Sequence, residues 1–471
     1  MRAFALGAKA FDRYPTDRWP WFRSARNDTP RCSNPRKVNR TLRISSVLPQ
    51  TATRRDIGHL LVGLGIRLGR ALLILLMLSA PAQAAPDAGF TRFIASLWPE
   101  AEAAGVSRAT FDVATRGLEP DYSLPDLELP GRPATAAPPQ PEFVQVPATY
   151  LKEASLARLA QEGQRLWQIH RPALTAIEQR FGVPPAVILA IWGRETDFGR
   201  YTLPHNAIRV LATQAYVGRR KDKFRSEFIL ALKILNEGHV ALKDMRASWA
   251  GAMGLTQFLP SEFYKHAVDF DGDGRRDIWT SVPDALASAA KQLKDKGWQS
   301  GLRWAYEVRA PERVDCTQGV PEITHPISEW LLTGFAPVRG GHLTAEEQAQ
   351  PASLLQPEGI YGPSFLATAN YFVIKEYNFS DLYVLFVGHL SDMIAGGPPF
   401  ATPWSAASQL RTADVEAMQR RLTSAGFYAD KIDGKAGMKT RAAVGAYQKS
   451  AGLKVDCWPS TNVLRALAGG Q

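Results

Sequence analysis

Residues 184–200 read PPAVILAIWGRETDFGR. Pro184 and Pro185 suit a helix start, where the first turn has no use for their missing N–H groups and their fixed φ is already helical. Gly199 suits the end. Between them, Ile188, Ile191, Trp192, Glu195 and Phe198 recur at spacings of three and four, so they share one helical face. That face is apolar except for Glu195. Arg194 and Asp197, three apart, fall on another face and can pair with each other. A carboxyl on an apolar stripe is costly to ionise, so its pKa is expected to rise, which is what a general acid needs. At the rim of the stripe the same residue would simply reach water.

Downstream, helical patterns continue through 207–246, and Tyr216-Val217-Gly218-Arg219-Arg220 sets two cations beside a ring. Residues 248–260 read SWAGAMGLTQFLP, where the small residues allow close backbone approach. Ser248, Gln257 and Phe258 can then line a groove, with polar atoms for sugar hydroxyls and a ring for stacking. A tightly packed helix pair would look the same. Residues 269–284 read DFDGDGRRDIWTSVPD. Asp269, Asp271 and Asp273 alternate ahead of Gly274, as in the front half of a calcium loop, and Asp284 can supply a late carboxylate. An acidic turn without metal is the other possibility. Residues 285–298 look helical, 305–369 mix short strands and turns, and 370–395 bring Tyr377, Asn378 and Tyr383 together on a helix-like pattern.

Upstream, residues 90–115 and 150–182 have helical periodicity, and the seven prolines between 121 and 149 require an extended path. Residues 1–70 hold 15 basic and four acidic residues, which accounts for the whole net charge of +11. The remainder is near neutral, so no basic field is left to hold a nucleic acid. Arg67 and Arg70 precede the apolar run in ALLILLMLSAPAQA (71–84), too short to span a membrane as a helix. This predicts a secretory signal cut after Ala84, or otherwise an uncut anchor. Cys316 and Cys457 remain after the leader. A disulfide between them and a pair of buried thiols are both open, and no Cys/His cluster has zinc spacing. Gly396-Gly397-Pro398-Pro399 ends the main body. Residues 409–471 then read as a small module, patterned by Val415, Met418, Leu422 and Phe427, then by Thr440, Ala443, Val444 and Tyr447-Gln448, then by Leu464.

Residues 86–405 resemble the membrane-bound lytic murein transglycosylase B family. The motifs are IWGRETDFGR (191–200), GRR (218–220), SWAGAMGLTQFLPS (248–261), VDFDGDGRRDIW (268–279) and YNFSDLYVLFVGHL (377–390). Residues 409–471 resemble a three-helix peptidoglycan-binding module, with Asp433-Gly434, Gly437, Thr440 and Tyr447-Gln448 at its signature positions. The resemblance implies a mainly α, lysozyme-like catalytic domain (85–400) with a small strand-containing part, a linker (401–408) and a binding module (409–471). It implies non-hydrolytic cleavage of the MurNAc-β-1,4-GlcNAc bond, a 1,6-anhydro product, and Glu195 as sole acid/base. It also implies Ser248, Gln257, Phe258, Tyr377, Asn378, Tyr383 and Tyr150 along the glycan, and Arg219 and Arg220 at substrate carboxylates or peptide stems. Asp269, Asp271, Asp273 and Asp284 would hold a structural Ca2+, with no cofactor for catalysis. Lys291-Gln292 departs from the Asn-Tyr common in relatives. The expected partner is peptidoglycan alone, and the expected state is a monomer. The expected location is the periplasm, with association to the inner or outer membrane only through an uncut leader. A hydrolytic muramidase would need a second carboxylate across the groove. A non-catalytic wall-binding protein would have no use for Glu195.

Overall fold

The computed structural model describes residues 87–132, 141–405 and 408–469. The leader, its cleavage site and Pro133, Pro138 and Pro139 lie outside the described residues. The fold is mainly helical with a small sheet and a C-terminal helical module, as expected.

The run 90–115 is broken into α1 (Ala88–Ser96), α2 (Trp98–Ala103) and α3 (Arg108–Thr115). Pro99 starts α2, Gly105 turns left-handed at φ 85°, and the Ser107 hydroxyl caps α3 by accepting from Thr110 N–H. Two short helices follow, α4 (Pro141–Val144) and α5 (Pro147–Tyr150). Residues 150–182 likewise divide into α6 (Glu153–Ile169) and α7 (Arg171–Phe181). Pro172 explains that break, since it has no N–H to continue a helix.

The stretch first quoted forms α8 (Pro185–Thr196), and all twelve of its residues are buried. There is no single apolar stripe, because α6, α7 and later helices surround it. Beyond it come α9 (Ala207–Val217), α10 (Lys221–Asn236), α11 (Pro260–His266) and α12 (Val282–Asp295). The mixed region forms a five-stranded antiparallel sheet from β1 (Ala305–Arg309), β2 (His325–Pro326), β3 (Ala336–Pro337), β4 (Pro351–Leu355) and β5 (Ser364–Ala367), in the order β2-β4-β5-β1-β3. Leu354 pairs with Leu366 and Tyr306 also faces Leu366 in register; these side chains, with Trp330, build a second, smaller core. Two helices complete the main body, α13 (Ala369–Lys375) and α14 (Asp381–Ile394). Tyr377 and Asn378 therefore lie in the loop between two helices and not on one. Among the described residues, no single helix is long and apolar enough to cross a membrane.

The C-terminal module is α15 (Thr412–Ser424), α16 (Met438–Ser450) and α17 (Thr461–Ala466) around Met418, Leu422, Val444 and Val463. Gln419 closes its central turn: its side-chain oxygen accepts from Asp433 N–H and Gly434 N–H, both at 2.9 Å. The module does not hang free on a linker. Met438 joins the main core, and a Cys316–Cys457 disulfide ties the module to the segment before β2. Of the two possibilities for these cysteines, the bonded pair is present.

Candidate active site

Glu195 sits in the last turn of α8 with no exposed surface. The helix stops one residue later, earlier than Gly199. Asp197, Phe198 and Gly199 are all left-handed, at φ 50°, 58° and 79°. Such backbone costs about 1–3 kcal/mol at each non-glycine position. Packing holds it there. The Phe198 ring folds back over Gly193, where a Cβ would lie 2.7 Å from its Cζ, and meets Trp192 edge-on at 5.5 Å. The early stop also redirects the charges. Asp197 does not pair with Arg194 but turns outward to Arg158, at 3.1 Å.

Arg194 turns inward. Its Nε and Nη2 donate to the Tyr150 hydroxyl oxygen at 3.1 and 2.6 Å. Its guanidinium lies 5.2 Å from the Tyr150 and Phe386 ring centroids and 5.9 Å from that of Tyr383. Glu142 Oε2 is 4.0 Å from Nη2. Burial opposes the Arg194 charge, but Tyr150, Glu142 and Glu195 outweigh it and raise its pKa. Burial also raises the Tyr150 phenol.

Glu195 Oε1 accepts from the Tyr383 hydroxyl at 2.6 Å. Burial first, then the adjacent Glu195 charge, holds the Tyr383 phenol well above its ordinary range, so it remains a donor. Tyr377 lies parallel to Tyr383, ring centroids 6.4 Å apart and 9° between planes, and donates to Thr256 O at 2.7 Å. Thr196 Oγ1 donates to Leu255 O at 2.9 Å. The end of α8 and the loop before α14 thus both bond to the 254–258 segment.

Ser248, Gln257 and Phe258, expected along a groove, are all buried. The Ser248 Oγ accepts from Ala250 N–H and Ala252 N–H. Gln257, at φ 57°, donates from Nε2 to Gly254 O at 2.9 Å. Phe258 is fully buried between His266 and Tyr377. These residues hold the loop that backs Glu195. Asn378 is buried too and donates to Glu142 Oε1 at 3.0 Å. Arg219 and Arg220 pair with Asp126 at 3.2 and 3.0 Å. At the Lys291-Gln292 departure, Lys291 bonds Asp295 and Gln292 is buried.

Asp126 and Glu142 are the site carboxylates that sequence reasoning missed. Both lie in the proline-rich stretch, whose only local signal is an extended path. A cleft of about 860 Å3 between the main body and the module is lined by Glu142, Arg219, Arg220, Asp381, Lys435 and Arg441, among others; Glu195 lies outside its lining.

Asp269, Asp271 and Asp273 bring carboxylate oxygens within 4.8 Å of one another, a geometry that can hold a metal ion. Asp269 accepts from Gly272 N–H and Gly274 N–H, and these glycines turn at φ 80° and 88°. Asp284 does not join them. Its Oδ1 accepts from Phe270 N–H and Asp271 N–H and its Oδ2 from Asp277 N–H, so it braces the loop from beneath.

Residues 89–392 match the family model for the transglycosylase SLT domain, and residues 411–467 match a peptidoglycan binding domain model. The chain is 31% identical over 242 residues to membrane-bound lytic murein transglycosylase B of Escherichia coli K12; the match spans 50% of this chain and 63% of that relative. It is similar to Pseudomonas aeruginosa SltB3, solved in complex with NAG-anhNAM-pentapeptide and with NAG-NAM-pentapeptide. Identity is 36%, coverage is 80% of this chain and 99% of that one, and TM-scores are 0.70 and 0.71. Soluble lytic transglycosylase SltB1 of the same organism is 28% identical, covering 64% of this chain and 98% of that one, with a TM-score of 0.52.

Proposed function

The chain belongs to the SLT transglycosylase family, and from that premise we propose that it cleaves the MurNAc-β-1,4-GlcNAc bond of peptidoglycan without water, leaving 1,6-anhydro-MurNAc ends. The observation that carries this is the setting of Glu195: a wholly buried carboxyl whose Oε1 is held by the Tyr383 hydroxyl. As an acid, Glu195 gives its proton to the glycosidic oxygen as the C1–O bond breaks. As a base, it takes the proton of the muramoyl 6-hydroxyl as that oxygen closes onto C1. One carboxyl serves both steps and ends as it began.

Hydrolysis calls for a second carboxyl about 5–9.5 Å from the first, as nucleophile or as holder of a water. Glu142 is the buried carboxylate reached through Arg194, and it is engaged by Asn378 and faces Arg194. That engagement favours a supporting role over a second catalytic one. The anhNAM ligand named for the SltB3 complex has the kind of end this reaction leaves, which supports the same reading. The test is mass spectrometry of products from purified peptidoglycan. Anhydro-muropeptides are expected; products heavier by one water would overturn the proposal.

The module supplies wall binding, and tethering raises the local concentration of substrate around the catalytic domain. The disulfide supports export to an oxidising compartment, the periplasm. The aspartate triad suits Ca2+, a hard cation that prefers oxygen donors. Asp269, Asp271 and Asp273 would hold it, and its charge would offset their mutual repulsion in the loop before α12. Calcium at a hundred times its Kd is expected to stabilise the fold by about 2.7 kcal/mol. The midpoint of thermal unfolding should rise with calcium, and Asp271→Asn should abolish the rise. An equal rise in the variant would reject the triad as the site.

A further inference from the structure

We propose that the C-terminal module supports catalysis directly: Arg441 is a positioning residue for Glu195, acting through Asp381 and the first turn of α14. The proposal rests on the transglycosylase reading of Glu195.

Arg441 projects from α16 into the main body. Its Nη2 donates to Asp381 Oδ2 at 2.7 Å, and its Nη1 donates to Ala436 O at 2.6 Å. Arg441 and Asp381 are 7% and 9% exposed. The other Asp381 oxygen accepts from the Tyr371 hydroxyl at 2.6 Å and from Lys375. Burial opposes ionisation of Asp381, yet Lys375 and Arg441 outweigh it and hold the carboxyl well below its usual range. This buried anion therefore stays charged between two cations, one from the main body and one from the module.

Asp381 is the first residue of α14, and two residues on is Tyr383, whose hydroxyl holds Glu195. Ser380 caps that helix: its Oγ accepts from Leu382 N–H and donates to Glu142 O. The module grips the Glu142 segment as well. Lys435 Nζ lies 4.2 Å from the Phe143 ring centroid, and Gln409 Nε2 donates to Phe143 O at 2.8 Å. Both segments that carry partners of the catalytic centre, 142–143 and 380–383, are thus held from the module side. A wall anchor on a flexible tether has no need of a buried ion pair at this position.

The test uses the full mature chain and a soluble glycan too short to need wall anchoring. Arg441→Gln is expected to lower kcat by about 10–100-fold, the scale of a misplaced catalytic contact. KM should stay close to wild type, and sedimentation with peptidoglycan should be unchanged. Arg441→Lys should recover part of the loss, since it keeps the charge but cannot reach two acceptors in a fixed fork. In a Tyr383→Phe background the Arg441→Gln loss should largely vanish, because the hydroxyl it positions is gone. A wild-type kcat in Arg441→Gln, or an equal loss in both backgrounds, overturns the proposal. Should Arg441→Gln fail to fold, Arg441→Lys decides, and full wild-type kcat in it overturns the proposal. Wild type that releases no anhydro product removes the functional reading and this proposal together; wild type that does release it separates the two.

Discussion

Glu195→Gln will release anhydro-muropeptides about 10²–10⁴-fold more slowly than wild type, the usual range for a lost general acid or base. The upper end is expected, because one group serves in both steps. The amide matches the carboxyl in shape, and its oxygen can still accept from the Tyr383 hydroxyl that now bonds Oε1. The buried packing of α8 is therefore kept, and thermal unfolding should move little. What is lost is the proton that Glu195 gives and takes back. The measurement is product formation by mass spectrometry beside a melting curve. A variant that keeps more than about a tenth of wild-type activity would remove Glu195 from its role.

The start of α8 was legible because a proline-led first turn is a local property. Its end was not. Gly199 looked like the stop, yet the chain turns at Asp197 because Phe198 must reach back over Gly193. A helical wheel paired Arg194 with Asp197. Residues far away decided otherwise: Tyr150 and Glu142 draw Arg194 inward, and Arg158 draws Asp197 outward. The transglycosylase motifs set Tyr383 and Tyr150 along the glycan, and in the fold the first bonds Glu195 and the second Arg194, but no motif tells whether a side chain faces a sugar or holds the wall behind it. Ser248, Gln257 and Phe258 are buried, and the first two bond within their own loop. Glu142 had no signal at all. Its meaning comes from Asn378, 236 residues on, and proline spacing around it predicts only an extended path. The same limit hid the seat of the module. Its helices and the Gln419 turn follow from local pattern, whereas Arg441 on Asp381 is a contact across 60 residues that only the assembled fold displays.

Reduction of the Cys316–Cys457 bond is expected to have the largest effect on stability. The bond joins positions 141 residues apart, so its loss frees a long loop in the unfolded chain. By chain entropy such a closure is worth about 3–5 kcal/mol. The effect should concentrate at the module, because the bond lies against α16. A Cβ at Gly445 would lie 2.2 Å from Cys457 Sγ and 3.1 Å from the Thr317 side chain, so the helix meets the bond at a point only glycine can occupy. Nearby, Gln448 Oε1 accepts from Asp456 N–H and Cys457 N–H, and Tyr361 in the main body donates to Asp456 at 2.7 Å. The Gln448 contacts keep a reduced module folded, while only non-covalent contacts such as that of Tyr361 are left to hold it in place, so it detaches more readily. The double Cys316→Ser, Cys457→Ser variant should therefore show an early transition, its midpoint lower by on the order of 10 °C, ahead of main-body melting. The same early transition should appear in wild type on adding reductant and be absent without it. If Arg441 needs the seated module to hold Asp381, kcat on the short glycan should fall in parallel with detachment while peptidoglycan binding persists. A melting curve indifferent to reductant would mean that the two sulfurs contribute nothing to holding the module in place.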